Sequence, residues 1–527
     1  MTDTFDYIIV GSGTAGSTIA YRLSEIPDLK ILILEAGGTN TPEQVAIPYR
    51  WNELLLTEID WAYMSVPQPG LNNREIYCAA GKLIGGTSNL YHMIHTRGKP
   101  EDYDNWAYDG CPGWSYREVL PYLQKLENQE DDTNPTAGKG GPINVINAKE
   151  LGNPVSQTFI DGCVELGYPF VEDFNATPLG VGWHHVDIKD GQRWGSRPAY
   201  LEPALARPNV TLEANAQATR LLFDDNKRCI GIEYQQEGQL KTAHANHEVI
   251  LCAGAIQSPK LLMLSGIGNP EHLQQFNIPV LVDLPGVGEN FHDHPLIIGP
   301  VGLMSEPGAD PRGNMTEVAL FWKSQEDMYV PDLEICLVHR APFGEAFFEN
   351  VIERLQTNQP IEPVAQLVDP RLILSIPGLV RPLSRGWIRL ASSDPMANPL
   401  VNPNYGAERS DIDHIVTMIK ISRDIYATKA FDKLGLIEVS PGPEVASDEA
   451  LRTWVIDNLG SYYHFVGSCK MGTDNMSVVD PELKVYGVEG LRVADGSVIP
   501  TIPSANPHTT IIMIGEKAAD LMKESLK

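Results

Sequence analysis

A chain of 527 residues, 43% hydrophobic and 20% charged, has the length for a large buried core and two joined domains, which excludes a disordered or fibrous polypeptide. Its formal charge of −28 opposes binding to nucleic acid or an anionic membrane surface. The acidity suits a small neutral or cationic substrate, although a solvated acidic surface gives the same balance.

Seven cysteines without a CxxC pair or other metal-ligand spacing read as reduced thiols in a cytoplasmic protein, with no metal expected. Apolar runs such as Leu372 to Val380 fall short of a membrane span. After Met1 to Thr4 the chain runs straight into a strand, so no secretory leader is expected.

That strand, Phe5 to Val10, is short and rich in β-branched residues, as in a buried parallel sheet. It leads into Gly11-Ser12-Gly13-Thr14-Ala15-Gly16, a helical pattern marked by Ile19 and Leu23, and a second strand from Ile31 to Leu34 that ends at Glu35. Together these form the strand–GxGxxG–helix–strand–acid arrangement of dinucleotide-binding sheets. Gly11 permits the tight turn, Gly13 lets backbone approach a pyrophosphate, and Gly16 lets the helix pack on the sheet. The helix start, at Thr14 and Ala15, offers unpaired N–H groups and positive partial charge. Glu35 stands where a carboxylate accepts hydrogen bonds from ribose hydroxyls. The Ala36-Gly37-Gly38 that follows, and the position of the unit at the head of the chain, favour FAD over NAD.

Further along come Gly81-Lys82-Leu83-Ile84-Gly85-Gly86-Thr87-Ser88, Gly254-Ala255-Ile256-Gln257-Ser258-Pro259 and Gly286-Val287-Gly288-Glu289-Asn290-Phe291-His292-Asp293-His294. Near the end stand His464-Phe465-Val466-Gly467-Ser468-Cys469 and Ala494-Asp495-Gly496-Ser497, followed by Ser504-Ala505-Asn506-Pro507. In this order, across nearly the whole chain, the segments resemble the glucose–methanol–choline (GMC) oxidoreductases. The general look is that of choline dehydrogenase-like, sorbose dehydrogenase-like and hydroxymethylfurfural oxidase-like members.

The resemblance implies an α/β fold, α+β overall. A Rossmann-type FAD domain would span residues 1–150, 208–296 and 460–527. A discontinuous substrate domain, 151–207 and 297–459, would roof the flavin with an antiparallel sheet flanked by helices; the Gly386 to Leu390 stretch reads as part of it, and the tract from Pro360 to Pro382 reads as loops and short strands. It also implies that Gly85, Gly86, Thr87 and Leu90 lie along the pyrophosphate and flavin, that Glu35 and Ala36 hold the adenosine ribose, and that the Ala218 backbone meets the adenine edge. Asp495 and Gly496 would approach the pyrophosphate and ribityl chain. Gly286 and Gly288 read more simply as turn residues. Some members carry a histidine tied covalently to the flavin where this chain has Leu90, so a dissociable FAD is expected; His92 is the nearest other candidate for attachment.

Oxidation of an alcohol by a flavin needs a base for the hydroxyl proton and a carbinol C–H facing the ring. Among 13 histidines, His464 occupies the position that the family motif gives to its base. Asn506 falls at the partner position, where its amide NH₂ can hold the substrate oxygen; His508 competes for that role. A helix from Thr509 to Leu526, with Asn506-Pro507 at its start, would aim its positive end at the flavin. An apolar set of Leu90, Val380 and Tyr463 would favour an aromatic or medium aliphatic primary alcohol over a sugar. The implied activity is FAD-dependent oxidation of that alcohol to the aldehyde, with O₂ or a quinone-type compound as acceptor. Competing readings are a flavin photodecarboxylase, which the pairing of Val380, Asn402 and His464 disfavours, and a non-catalytic homologue, which the presence of His464 and Asn506 disfavours. An NAD-dependent dehydrogenase would not need the two later flavin-type signatures.

Overall fold

The computed structural model describes residues 3–341 and 369–526. Residues 360–368 of the proline-rich tract lie outside the described residues.

The chain opens with β1 (Asp3–Val10), α1 (Thr14–Leu23) and β2 (Ile31–Leu34), the parallel strand–helix–strand unit that the sequence predicts. All four residues of β2 are buried, as a strand covered on both faces requires. β3 (Gln239–Leu251) lies on the other side of β1, in parallel register from Tyr7 opposite Glu248 to Val10 opposite Leu251. Val210–Glu213 and Leu491–Val493 extend the parallel part at β2 and β3, and a meander of Ala216–Phe223 and Cys229–Gln236 completes seven strands. α2 (Gly254–Leu264) follows β3 directly, and α3 (His508–Glu524) packs on α1. A Cβ on Gly515 would stand 2.9 Å from Thr18 Cβ, so glycine sets how close those helices come. α3 begins one residue before the sequence expectation and carries the buried Glu516, which pairs with Arg22 of α1 at 2.7 Å.

The second layer is an eight-stranded sheet built on β4 (Val318–Trp322), β5 (Leu333–Val338) and β6 (Leu372–Leu379), all antiparallel. Gly180–Trp183 pairs with β4, and Val301–Leu303 and Pro295–Leu296 pair with β6. Strand alternation divides the sheet into two faces. Val318, Leu320, Ile335, Leu337 and Ile373 turn towards the helices Pro154–Glu165 and Arg409–Tyr426. Ala319, Phe321, Cys336, Val338, Leu374 and Ile376 turn the other way, against Trp51, Phe174 and Tyr462. Truncating Phe159, fully buried on the helical side, would cost about 3–5 kcal/mol.

The fold class is therefore the expected one, a dinucleotide-type α/β sheet joined to an antiparallel sheet. One stretch departs from it. Trp387–Arg389 leaves the roofing sheet and pairs with Leu400–Asn402 as a separate ribbon. Its backbone is drawn to the 288–291 turn instead, where Ile388 N–H donates to Gly288 and Gly386 N–H to Phe291. All seven cysteines are free and buried. Among the described residues no helix is long and apolar enough to cross a membrane.

Candidate active site

A continuous cleft of about 220 Å³ runs along the carboxyl ends of β1, β2 and β3. Its walls begin with Glu35, Ala36 and Ala218, pass Gly11, Gly13, Thr14 and Ala15, and end at Tyr463, His464, Asp495, Gly496 and Pro507. Backbone builds most of it. A Cβ on Gly16 would lie 2.0 Å from Gly11 O, so only glycine allows α1 to start against that turn. A Cβ on Gly13 would meet nothing nearer than Gly86 Cα at 4.0 Å and would project into the cleft. Because Gly13 caps α1 without a side chain, the first N–H groups of the helix stay free for an anion.

Two buried carboxylates brace this frame. Glu35 accepts hydrogen bonds from Ser12 N (3.0 Å), Ser12 Oγ (2.7 Å) and Gly37 N (2.8 Å). Asp495 accepts from Gly254 N (2.8 Å), Ser258 Oγ (2.6 Å) and Ser497 N (2.8 Å), tying α2 to the 495–498 turn. Burial pushes the pKa of both carboxyls upward, against these bonds. Gly85 serves the frame from behind, its N–H donating to Ser12 Oγ, while Gly86 and Thr87 line the cleft. A diphosphate at the α1 start, a ribose at Glu35 and a ring system at the His464 end suit this donor set, so the residues fit FAD.

At the ring end, Pro295–Leu296 pairs with Gly460–Ser461 in antiparallel register, which lays the 292–294 segment against 461–466. Tyr462 N–H donates to His294 O, and His292 and Val466 exchange both backbone bonds. Three contacts then fix His464. Its N–H donates to Asp293 Oδ1 (2.6 Å), its Nδ1 lies 3.0 Å from His294 Nδ1, and its Nε2 lies 3.4 Å from Asn506 Nδ2. The Tyr462 ring lies parallel to the imidazole, with centroids 5.1 Å apart. Asp293 also accepts from Ser461 Oγ and Tyr405 Oη, and Ser461 Oγ accepts from Tyr463 N–H. Tyr463 itself stands at φ +62°, a left-handed conformation that side-chain-bearing residues hold only when their surroundings enforce it.

Burial drives the pKa of His464 well below the ordinary imidazole value, and the neighbouring His294 and His92 push the same way. The ring is thus neutral in the physiological range, as a base must be. Asn506 Oδ1 is buried without a partner. His294 also faces the carbonyls of Val380 and Pro503, although its Nε2 completes no well-formed hydrogen bond.

The other expected residues make contacts of their own. His508 turns to Asp187 (3.4 Å) and packs on Tyr91, whose Oη donates to the same carboxylate. His92 has Nδ1 3.1 Å from Thr316 Oγ1 and packs against the Trp51 ring at a tilt of 35°, with centroids 3.8 Å apart. Leu90 is packed in a small apolar cluster with Val45, Leu54, Ile59 and Leu83. Val380 is fully buried, its N–H donating to Asp332 O. Trp61, Tyr63, Gln257 and Phe465 also line the cleft and were not foreseen. Nor was any role for Asp293 and His294, although their segment had been singled out for its motif.

Behind Tyr462 stands the front face of the antiparallel sheet. Tyr462 Oη donates to Ile376 O (3.3 Å) and lies 3.9 Å from Cys336 Sγ. Cys336 Sγ sits between Glu334 Oε1 (3.5 Å) and His184 Nε2 (3.7 Å). Burial lifts the Glu334 carboxyl to about 7 and lowers the His184 imidazole to about 3. Phe174, Phe321 and Trp51 complete this wall. Lys99 Nζ, held by Phe174 O at 2.9 Å, lies over the Phe321 ring.

Comparison with known proteins gives the family and the fold. The N-terminal and C-terminal models of the GMC oxidoreductases match residues 5–296 and 382–515. The oxygen-dependent choline dehydrogenase of Sinorhizobium fredii is 36% identical over 98% of this chain and 95% of its own length. The mitochondrial choline dehydrogenase of Mus musculus is 35% identical over 99% and 90%. The crystal structure of pyridoxine 4-oxidase from Mesorbium loti superposes with a TM-score of 0.90 over 99% of each chain, at 27% identity.

Proposed function

This chain belongs to the GMC oxidoreductase family, and we propose that it oxidises a small primary alcohol bearing a cationic head, choline being the first to test, with His464 as the base. It is an FAD-dependent oxidoreductase acting on CH–OH donors. The observation that carries the residue assignment is the convergence of His464 Nε2 and Asn506 Nδ2, 3.4 Å apart, where the cofactor cleft meets the antiparallel sheet.

Bound FAD supplies the acceptor for the hydride that leaves the carbinol carbon. The protein's part is proton handling and placement. Asn506 Nδ2 donates to the substrate oxygen and turns its hydrogen towards His464 Nε2, which takes the proton. For Nε2 to hold the lone pair, the imidazole proton must sit on Nδ1, and His294 Nδ1 at 3.0 Å is placed to accept it. The first turn of α3 places positive partial charge beside the ring end of the cleft. Gly11, Gly13, Thr14, Ala15, Gly86, Thr87, Glu35, Ala36, Ala218, Asp495, Gly496 and Pro507 would hold the cofactor, without a covalent bond to His92. In this reading residues 1–150, 208–296 and 460–527 carry the cofactor and the remainder the substrate, with O₂ or a quinone-type acceptor closing the cycle.

Two features move the substrate from the aromatic or aliphatic alcohol suggested by Leu90, Val380 and Tyr463. Relatives at 35–36% identity, covering nearly the whole chain, are choline dehydrogenases. The wall beside Tyr462 carries the ring faces of Trp51, Phe174 and Phe321, which attract a quaternary ammonium, and the Glu334 carboxyl, whose charged form an approaching cation would favour. Rapid mixing with choline and with benzyl alcohol, following loss of the visible flavin band, tests both halves of the proposal. Choline should reduce the flavin faster, and His464→Ala should slow that step by about 10²–10⁴-fold with FAD retained. Near-normal reduction in the variant would refute the base; preference for benzyl alcohol would refute the cationic substrate.

A further inference from the structure

We propose that His184, Glu334 and Cys336 form a binding site for a divalent cation of the Zn²⁺ type, set in the wall behind Tyr462. The three donor atoms lie within 4.8 Å of one another and all three residues are buried. Tetrahedral zinc, with Zn–S near 2.3 Å and Zn–N near 2.0–2.1 Å, holds its sulfur and nitrogen donors about 3.5 Å apart. Cys336 Sγ stands 3.5 Å from Glu334 Oε1 and 3.7 Å from His184 Nε2, so an ion could enter with little rearrangement.

The sheet explains why the three converge. Glu334 and Cys336 occupy alternate positions of β5 and share its front face. His184 follows Gly180–Trp183, on the far side of β4, where Ala319 stands opposite both Gly182 and Cys336 and so brings the two outer strands into line. No local spacing in the sequence could have signalled this triad.

A further observation points to a ligand. Glu334 Oε2 is buried without a hydrogen-bond partner, a costly state for a polar atom in a dry wall, and it belongs to the carboxylate that faces Cys336. A divalent cation bound to a Cys336 thiolate and a Glu334 carboxylate has no net charge, and binding releases the thiol proton to solvent. Lys99, held over Phe321, is the nearby cation that would oppose it. Because Tyr462 reaches from Cys336 to the His464 ring, an occupied site would displace Tyr462 or draw its oxygen in as a fourth donor, and turnover would fall. That consequence alone rests on the proposed function; occupancy is read without turnover.

The test uses the full FAD-loaded chain, cleared of metal with a chelator, then dialysed against micromolar Zn²⁺ and assayed for zinc by mass spectrometry. One zinc per chain is expected. Second-sphere partners cost metal sites about 10–100-fold in affinity, so losing a direct ligand in Cys336→Ser or His184→Gln should cost at least as much. No retained zinc, or equal retention in both variants, would overturn the site. Where a variant fails to fold, the wild-type chain decides: Zn²⁺ should protect Cys336 from slow alkylation, read by peptide mass, and equal labelling with and without the ion would refute the proposal. Inhibition that chelator reverses would support the link to Tyr462; full turnover with zinc bound would overturn it.

Discussion

The cofactor cleft and the sheet wall that faces it are built by opposite means. Backbone makes the cleft: a glycine turn, the starts of α1 and α3, and carboxylates spent on local N–H groups. Side chains make the wall, which gathers Cys336, Glu334, His184 and Tyr462 from segments that meet only through strand register. A backbone-built site tolerates almost no change where glycine fills it, whereas a side-chain-built wall can be recut without losing the fold. The largest effect should therefore fall on the cleft. Gly16→Val would force a Cβ to 2.0 Å from Gly11 O, an overlap worth more than about 3 kcal/mol. The ratio of visible flavin absorption to protein absorption should collapse, and a variant that retained full flavin would break the comparison. Gly13→Ala is the sharper probe, since its methyl meets only the cleft: the chain should fold but bind FAD weakly.

Legibility follows the same division. Gly11 to Gly16 and Glu35 could be read directly because one strand, one turn and one helix fix their relation within a short stretch. His464 and Asn506 were found through motifs near the C-terminal end. The pairing of His464 with His294 was not, because it depends on Pro295–Leu296 lying beside Gly460–Ser461, and no local pattern encodes a register across that separation. His508 shows the same limit. Helical spacing gave its position but not its rotation, which delivers it to Asp187 and Tyr91.

The His294 contact gives the next largest effect. His294→Leu removes the acceptor for the Nδ1 proton of His464 and should slow flavin reduction by about 10-fold or more, short of the loss caused by removing the base. His294→Gln, which keeps an amide oxygen in reach, should recover part of the rate. Equal rates in the two variants, with flavin content unchanged, would reduce His294 to a packing residue. On the wall, Glu334→Gln should raise KM for choline by about tenfold, the worth of about 1.4 kcal/mol of charge attraction, while KM for a neutral alcohol stays put. A parallel rise for both substrates would mean that Glu334 shapes the wall without reading charge.

The smallest effect lies at the seam, where Asp187 bonds His95 (2.7 Å) and faces His508 at the start of α3, and where His95 Nε2 lies 3.0 Å from Glu127 Oε1. Burial alone would raise the Glu127 carboxyl, but Arg97 and His95 hold it down at about 2. Burial alone would lower the His95 pKa, but Asp187 and Glu127 lift it to about 10. The signs differ. Glu127 gives stability that is present above its ordinary value of 4.5 and lost as pH falls towards 2; His95 gives stability that is complete below 6.5 and lost as pH rises through 10. Between those windows the seam is at full strength, so the melting temperature should decline on both flanks. His95→Gln should lower it by a few degrees near pH 6 and flatten the alkaline flank, because the group whose proton is lost there has gone, while the acid flank persists through Glu127 and Arg97. An unchanged alkaline slope would place the pH dependence outside this cluster of Asp187, His95 and Glu127.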